Sequence, residues 1–124
     1  MSKKKVLVVD DSATVRQQVG LALVQAGFEV LEAIDGVDGR AAIEANTTLA
    51  LVICDVNMPR MDGLEMVEKV KSDPRHGGLP VVMLTTESQP ELIKKAKDAG
   101  AAGWIIKPFQ PAKLIAAAQK LTAA

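Results

Sequence analysis

The chain has 124 residues, 48% of them hydrophobic and only 2% aromatic, a composition that supports one domain with an aliphatic core. The 15 basic and 15 acidic residues give no net charge, so we expect neither a nucleic-acid surface nor a membrane surface. With a single cysteine and no apolar run of membrane-spanning length, the sequence favours a cytoplasmic protein without a disulfide framework.

The predicted elements alternate between strand and helix from one end of the chain to the other. Helical spacing fills the segments between the apolar runs and after the last run. The second run alternates apolar with acidic residues, which predicts a strand at the edge of the sheet. The pattern predicts an α/β domain whose parallel strands, joined by right-handed crossovers, lie between two layers of helices. The predicted strands lie near residues 5–10, 28–34, 49–55, 79–86 and 102–107.

Boundary residues locate several of the helices. Gly27 follows the first helical segment and is typical of a helix C-terminus. Ser88 and Glu91 predict a capping box at the start of the fourth helix, with Ser88 as the N-cap and Pro90 in the first turn. We expect His76 to be exposed in the loop before the fourth strand, without a metal-binding or catalytic role.

The most informative run is Leu49–Cys54, which predicts a strand that is buried on both faces. Cys54 is then a small core residue rather than a reactive thiol. Asp55 follows directly, and Pro59 stops the strand, so the carboxylate is placed at the rim of the sheet. In open α/β sheets this rim is where ligands bind.

Polar residues end four of the predicted strands, and a parallel sheet brings such ends to one edge. Each has a structural interpretation when taken alone, since Asp caps helices and turns, and a hydroxyl or an ammonium can simply end a strand. Together they indicate a built site, because carboxylates a few ångströms apart repel by about 4 kcal/mol per pair at an effective dielectric of about 20. The residues are Asp10, Asp11, Asp55, Thr85 and Lys107.

A hard divalent cation would neutralise this cluster. Mg²⁺ takes oxygen ligands in octahedral geometry and keeps several waters, which leaves positions for a phosphoryl oxygen. Asp55 can then act as a nucleophile and form an acyl phosphate. Lys107 can pair with the phosphoryl group as a point charge, and Thr85 can donate a hydroxyl hydrogen bond to it. The residues alone therefore indicate magnesium-assisted phosphoryl transfer.

Four motifs give the chain a resemblance to a known family. It resembles the receiver domains of two-component response regulators, and within them the stand-alone chemotaxis regulators. The resemblance covers the whole chain, 1–124, in order and spacing, so that the chain is expected to be one receiver domain. The motifs that carry it are Val-Val-Asp-Asp-Ser at 8–12, Asp-Val-Asn-Met-Pro-Arg-Met-Asp-Gly at 55–63, Leu-Thr-Thr-Glu at 84–87 and Lys-Pro-Phe at 107–109.

The resemblance implies both a fold and a phosphorylation site. The fold is a flavodoxin-like three-layer sandwich, a doubly wound five-stranded parallel sheet of strand order 2-1-3-4-5 with five helices. Asp55 would accept a phosphoryl group from a histidine kinase. Mg²⁺ would be bound directly by Asp11, by Asp55 and by the backbone carbonyl of Asn57, and largely through water by Asp10.

The resemblance also implies roles for residues around the acceptor. Thr85 would be the switch hydroxyl that moves toward the phosphoryl group, Lys107 would hold the phosphate, and Pro108 would follow a cis peptide bond, a geometry specific to proline. Trp104 occupies the position of the family's aromatic switch residue, where Tyr or Phe is usual; packing on the sheet is its structural alternative. Thr86 stands where the family commonly has a small residue.

The function that follows is a phosphorylation-dependent signalling switch. We expect a monomer that catalyses only its own phosphorylation and dephosphorylation and controls a partner protein through its fourth helix, fifth strand and fifth helix. One alternative is a phosphorelay intermediate that passes the phosphoryl group to a histidine phosphotransfer protein.

Two further alternatives come from other classes of protein. One is an aspartyl-phosphate phosphatase of the haloacid dehalogenase type, although Asn57 stands where that class expects a second acid and 124 residues leave no room for a cap domain. The other is a flavin-binding module of similar fold, whose ligand phosphate the loop Asp10-Asp11-Ser12 would repel.

Overall fold

Short apolar runs separated by helical segments fold here into an alternating series of strands and helices. The structure is a computed structural model that describes residues 3–58 and 60–123. Pro59, predicted to stop the third strand, lies outside the described residues. The strands are Lys5–Val9 (β1), Glu29–Ala33 (β2), Leu49–Cys54 (β3), Val81–Thr85 (β4) and Gly103–Ile106 (β5). The helices are Ala13–Gln25 (α1), Gly36–Ala45 (α2), Gly63–Lys71 (α3), Pro90–Ala99 (α4) and Pro111–Thr122 (α5), with a 3₁₀ turn at Pro74–His76.

The strands form one parallel sheet in the order β2-β1-β3-β4-β5. The predicted doubly wound α/β fold with strand order 2-1-3-4-5 is therefore confirmed. The prediction that the second strand lies at an edge is also confirmed, because β2 pairs with β1 alone. Since all pairings are parallel, the carboxyl ends of the strands meet at one edge of the sheet, which we call the carboxyl edge.

The core consists of two apolar layers, one on each face of the sheet. Alternate residues of β1, β3 and β4 point to opposite faces, as strand geometry requires. One layer packs α2, α3 and α4 against the sheet through Ile43, Met66, Val67, Val70 and Ala96. The other packs α1 and α5 against it through Val19, Leu23, Leu114 and Ala118.

Cys54 is fully buried in the first of these layers, as predicted for a core residue. Burial, reinforced by the charge of Asp55, raises the pKa of its thiol well above the ordinary value. The group is therefore a neutral packing element at physiological pH. Within residues 3–58 and 60–123, none of the helices combines the length and the apolar character that crossing a membrane requires.

Two local predictions are corrected by the structure. The fourth helix begins at Pro90 with Gln89 as its N-cap, not Ser88, and no side chain caps it. The reason is that a residue before proline is driven out of the helical region, and Gln89 is extended (ψ 131°). His76 is half-buried rather than exposed, because it lines a cleft together with Ile43, Asn46 and Leu49.

The loop after β3 closes tightly on the strand that precedes it. The amide of Gly63 donates to the carbonyl of Val56 at 2.8 Å, and Asp62 caps α3 by accepting from the amide of Glu65 at 2.9 Å. A Cβ atom on Gly63 would overlap the backbone carbonyl oxygen of Asp55. Glycine is therefore required at this position so that α3 can start directly behind Asp55.

Gly63→Ala should lower the free energy of unfolding by about 3 kcal/mol, because an added methyl group has no space beside the backbone of Asp55. Urea denaturation followed by circular dichroism measures the change. Gly78→Ala is the matched control, since a Cβ there has no atom within 4 Å, and its effect should stay within about 0.5 kcal/mol. Equal stability of the two variants would contradict this account of the loop.

Candidate functional site

Two neighbouring strands deliver buried carboxylates to the carboxyl edge. The register of β1 with β3 pairs Val9 with Cys54, so the next residues, Asp10 and Asp55, lie side by side. Their side chains are almost fully buried, and the amide of Asp55 donates to the Val9 carbonyl at 3.0 Å. Asp11 is exposed beside them, and one carboxylate oxygen from each of the three aspartates lies within 4.8 Å of the others. The predicted acidic cluster is thus assembled by strand register.

Lys107 places an ammonium group on this cluster. Its Nζ donates to Asp10 Oδ2 at 2.7 Å and to Asp55 Oδ2 at 3.3 Å. The residue follows β5 and is held by its own amide, which donates to the carbonyl of Thr85 at 2.8 Å. The Lys107–Pro108 peptide bond is cis, the geometry that the resemblance implies.

The ammonium of Lys107 remains charged at neutral pH. Burial acts to lower its pKa, but the hydrogen bond to Asp10 and the charge of Asp55 outweigh burial, so the pKa lies above its usual value. Because the folded-state pKa is raised, the contribution of the Lys107 ammonium to stability is present at neutral pH and is lost as the pH rises through that raised value. One fixed cation is thus shared by two of the three carboxylates.

The donor set suits a hard divalent cation. Asp10 Oδ1 accepts from the amide of Ser12 at 2.9 Å, and Asp55 Oδ1 accepts from the amide of Val56 at 2.7 Å. These bonds orient the carboxylates without using all of their acceptor positions. Asp11 leaves one side of the cluster open to solvent. An oxygen-only site with an open side is the kind of site that Mg²⁺ occupies in proteins.

Thr85 and Asn57 lie next to the cluster and share a partner. The Thr85 side chain is fully buried at the end of β4, and its hydroxyl accepts from the amide of Glu87 at 3.3 Å. Asn57 is exposed, and its side-chain amide donates to the carboxylate of Glu87 at 2.6 Å. Within the described part of the chain, neither side chain hydrogen-bonds the three aspartates.

Trp104 lies outside the cluster but is connected to it through the same residue. Its indole Nε1 donates to the backbone carbonyl of Glu87 at 2.9 Å, while its half-buried ring packs against the apolar layer under α3 and α4. Glu87 therefore contacts Asn57, Thr85 and Trp104 through three different groups. Hydrogen bonds to Glu87 therefore link the predicted switch residues Thr85 and Trp104.

Sequence analysis missed two residues that support the site. Glu87 is the last residue of the motif at 84–87, and its position two residues after Thr85 was the only sequence feature that placed it near the site. Arg16 was not singled out, yet its guanidinium donates to the carbonyl of Asp10 at 2.7 Å and to Glu32 at 2.9 Å. Its signal was weak, since a basic residue in the first turn of a helix is most often solvated.

Comparison with known proteins identifies a family that has this arrangement. A family model described as the response regulator receiver domain matches residues 6–119. The chain is similar to the chemotaxis protein CheY1 of Helicobacter pylori, with 44% identity over 108 residues that cover 86% of this chain and 87% of that protein.

Other relatives agree with this assignment. A chemotaxis protein CheY homolog of Campylobacter jejuni is 40% identical over 108 residues, which cover 86% of this chain and 83% of that protein. Among solved structures, the chemotaxis protein CheY4 of Vibrio cholerae superposes with a TM-score of 0.90 at 41% identity, covering 97% of this chain and 99% of that one. Sequence and fold comparisons therefore lead to the same kind of protein.

Lys107→Gln should lower the free energy of unfolding by about 2–4 kcal/mol in metal-free buffer at neutral pH, because two buried carboxylates lose their cation. Added Mg²⁺ should restore part of this loss. Chemical denaturation with and without Mg²⁺ measures both effects. Lys95→Gln, an exposed change on α4, is the control and should alter stability by no more than about 0.5 kcal/mol. An effect of Lys107→Gln as small as the control's would exclude the ion pairs as a source of stability.

Proposed function

Because this chain belongs to the response regulator receiver domains, we propose that it is a phosphorylation-controlled switch of a two-component system, acting in the cytoplasm on a separate partner protein. The observation that carries the proposal is the meeting of Asp10, Asp11 and Asp55 within 4.8 Å, with Lys107 hydrogen-bonded to two of them. Such a cluster suits phosphoryl transfer, where charge must be neutralised around one acceptor.

In the proposed reaction, Asp55 receives a phosphoryl group from a histidine of a partner kinase. A carboxylate oxygen of Asp55 attacks the phosphorus, a P–O bond forms, and the P–N bond to the imidazole breaks with its electron pair returning to nitrogen. Lys107, whose Nζ lies 3.3 Å from Asp55 Oδ2, then pairs with the phosphoryl oxygens. In this proposal the kinase activity belongs to the partner, and this chain catalyses only its own phosphorylation and dephosphorylation.

Asp10, Asp11, Asp55 and the backbone carbonyl of Asn57 would hold Mg²⁺ in this proposal. When bound, the ion supplies positive charge for the phosphoryl oxygens in transfer. The support for this assignment is the oxygen-only donor set, its open side at Asp11, and the solvent-facing position of Asn57. Lys107 remains a point charge on the opposite side of the cluster, held by Asp10.

The signal is proposed to leave the site through Thr85. Phosphorylation adds about −1.5 to −2 charges at Asp55, which attracts the Thr85 hydroxyl. That hydroxyl now accepts from the Glu87 amide, and the Glu87 carbonyl accepts from Trp104, so its movement changes both bonds. Shifting such an equilibrium from 1:99 to 99:1 requires about 5.5 kcal/mol of preference between the two states.

The output surface in this proposal is formed by α4, β5 and α5. Trp104 lies on it half-buried, with the exposed cations of Lys94 on α4 and Lys113 on α5. A change in the Trp104 ring would alter the shape of this face, and the lysines would select an acidic partner surface. The similarity to named chemotaxis proteins supports a target of the chemotaxis type.

Trp104 fluorescence should report the switch, because it is the only tryptophan and is bonded to the loop that follows Thr85. We expect a saturable response to Mg²⁺ and a further change on adding the phosphoryl mimic beryllofluoride. Asp55→Asn should abolish the second response, whereas Asp98→Asn, an exposed change on α4, should keep both. If neither ion binds the unaltered protein by fluorescence or by calorimetry, the proposed metal and acceptor site does not exist.

The fate of the phosphoryl group separates the switch from the other candidates. After labelling with radioactive acetyl phosphate, we expect label on Asp55 that is released slowly to water as inorganic phosphate and is not transferred to an added histidine phosphotransfer domain. Rapid transfer to that domain would instead identify a phosphorelay intermediate. Steady turnover of p-nitrophenyl phosphate would identify a phosphatase and refute the proposal. Asp55→Asn, which cannot form the acyl phosphate, is the background control in each assay.

A further inference from the structure

The loop between β3 and α3 carries two parts of the proposed site, the acceptor Asp55 and the carbonyl ligand of Asn57. It begins with Asp55, whose amide is fixed by the Val9 carbonyl, and it ends where Gly63 bonds back to Val56. Asn57, the proposed carbonyl ligand, lies between these anchors and is exposed. On the side of α4, its side chain is bonded to Glu87 at 2.6 Å. The opposite side of the loop faces the start of α2.

An arginine–aspartate fork fixes that opposite side. Arg60 Nε donates to Asp35 Oδ2 at 2.6 Å, and an Nη of Arg60 donates to Asp35 Oδ1 at 3.1 Å. Asp35 is 2% exposed and also caps α2, accepting from the amide of Asp38 at 2.9 Å. The Arg60 fork, followed by the Asp38 amide, holds the pKa of Asp35 below its usual value, so the aspartate is ionised at neutral pH. Forks of this kind give geometric specificity as well as attraction.

The backbone on both sides of the fork is equally constrained. Gly36 donates to the Met61 carbonyl at 3.0 Å, and a Cβ on Gly36 would overlap that oxygen, so α2 begins in direct contact with the loop. Arg60 has φ of +65°, in the left-handed region. Within residues 3–58 and 60–123, no other residue except glycine has a positive φ. A disfavoured backbone conformation persists where surrounding contacts over-determine it, and the fork is such a contact.

We infer that Arg60 is a positioning residue for the magnesium site, which it serves by pinning the β3–α3 loop to Asp35. The inference rests on the proposed function and deepens it. A ligand that is a backbone carbonyl cannot reorient by side-chain rotation, so its position depends on the conformation of the whole loop. Arg60 lies three residues after Asn57 and holds that conformation from the α2 side, opposite the bond to Glu87.

Arg60→Gln tests the inference through the affinity for Mg²⁺ alone, measured by isothermal titration calorimetry. We expect the dissociation constant to rise about tenfold, the usual scale for residues that orient metal ligands. Labelling of Asp55 by acetyl phosphate should fall at low Mg²⁺ and recover at saturating Mg²⁺. Because Mg²⁺ would also stabilise a partly unfolded variant by mass action, urea denaturation in metal-free buffer must accompany the titration. Weaker Mg²⁺ binding by an Arg60→Gln protein that is fully folded before Mg²⁺ is added is the result that a purely structural role would not give.

Arg75→Gln is the matched control. Arg75 makes the same kind of fork, donating to Asp73 Oδ2 at 2.6 Å and to Asp73 Oδ1 at 3.1 Å, in the loop before β4 at the edge opposite the site. Its loss should leave the dissociation constant for Mg²⁺ within twofold of the unaltered protein. Arg60→Gly provides a second variant that keeps the loop conformation accessible, since glycine adopts positive φ freely, while it removes the fork.

The outcomes separate the inference from the proposed function. If Arg60→Gln and Arg60→Gly both bind Mg²⁺ within twofold of the unaltered protein, or if Arg75→Gln weakens binding equally, the inference is overturned while the proposed function stands. If the unaltered protein shows no saturable Mg²⁺ binding, the proposed function itself fails. Weaker binding in both Arg60 variants, with no further loss when Asp35→Asn is added, supports the inference.

Discussion

The concentration of negative charge at the carboxyl edge is the constraint on which the rest of this structure depends. Two nearly buried aspartates and one exposed aspartate share a space in which their oxygens lie within 4.8 Å. The backbone amides of Ser12 and Val56 donate hydrogen bonds to these carboxylates, and the ammonium of Lys107 offsets part of their charge. A parallel sheet makes this possible because it brings the carboxyl ends of its strands to one edge.

Glu87 gives the site a connection to a distant surface. The carboxylate of Glu87 accepts a hydrogen bond from Asn57, its amide donates to the Thr85 hydroxyl, and its carbonyl accepts from the Trp104 indole. Because the last two bonds use backbone groups, they respond to the path of the chain after β4 rather than to the rotamer of one side chain. In the proposed switch, a movement of Thr85 would therefore be transmitted as a change in the conformation of the loop after β4.

Sequence patterns predicted the strands and the residues that the parallel sheet brings together at its carboxyl edge. Each strand was placed within two residues of its observed ends, and Asp10, Asp55 and Lys107 were expected together because parallel strand ends must meet. The Ser88 cap was wrong because the effect of Pro90 on the residue before it outweighs a capping motif. The bonds from Asn57 to Glu87 and from Arg60 to Asp35 were missed, since each joins side chains of two loops whose conformations carry no periodic sequence signal.

The position of Lys107 has a further consequence for how the acidic cluster exchanges cations. Its ammonium is attached to the chain, so it acts as a tethered competitor whose effective concentration at Asp10 and Asp55 does not fall on dilution or dialysis. In the proposed site, an incoming ion would compete with this ammonium at Asp55, while the shorter bond to Asp10 keeps Lys107 at the cluster. Release of that ion would then leave a partly neutralised cluster, in which Lys107 still pairs with Asp10 and Asp55.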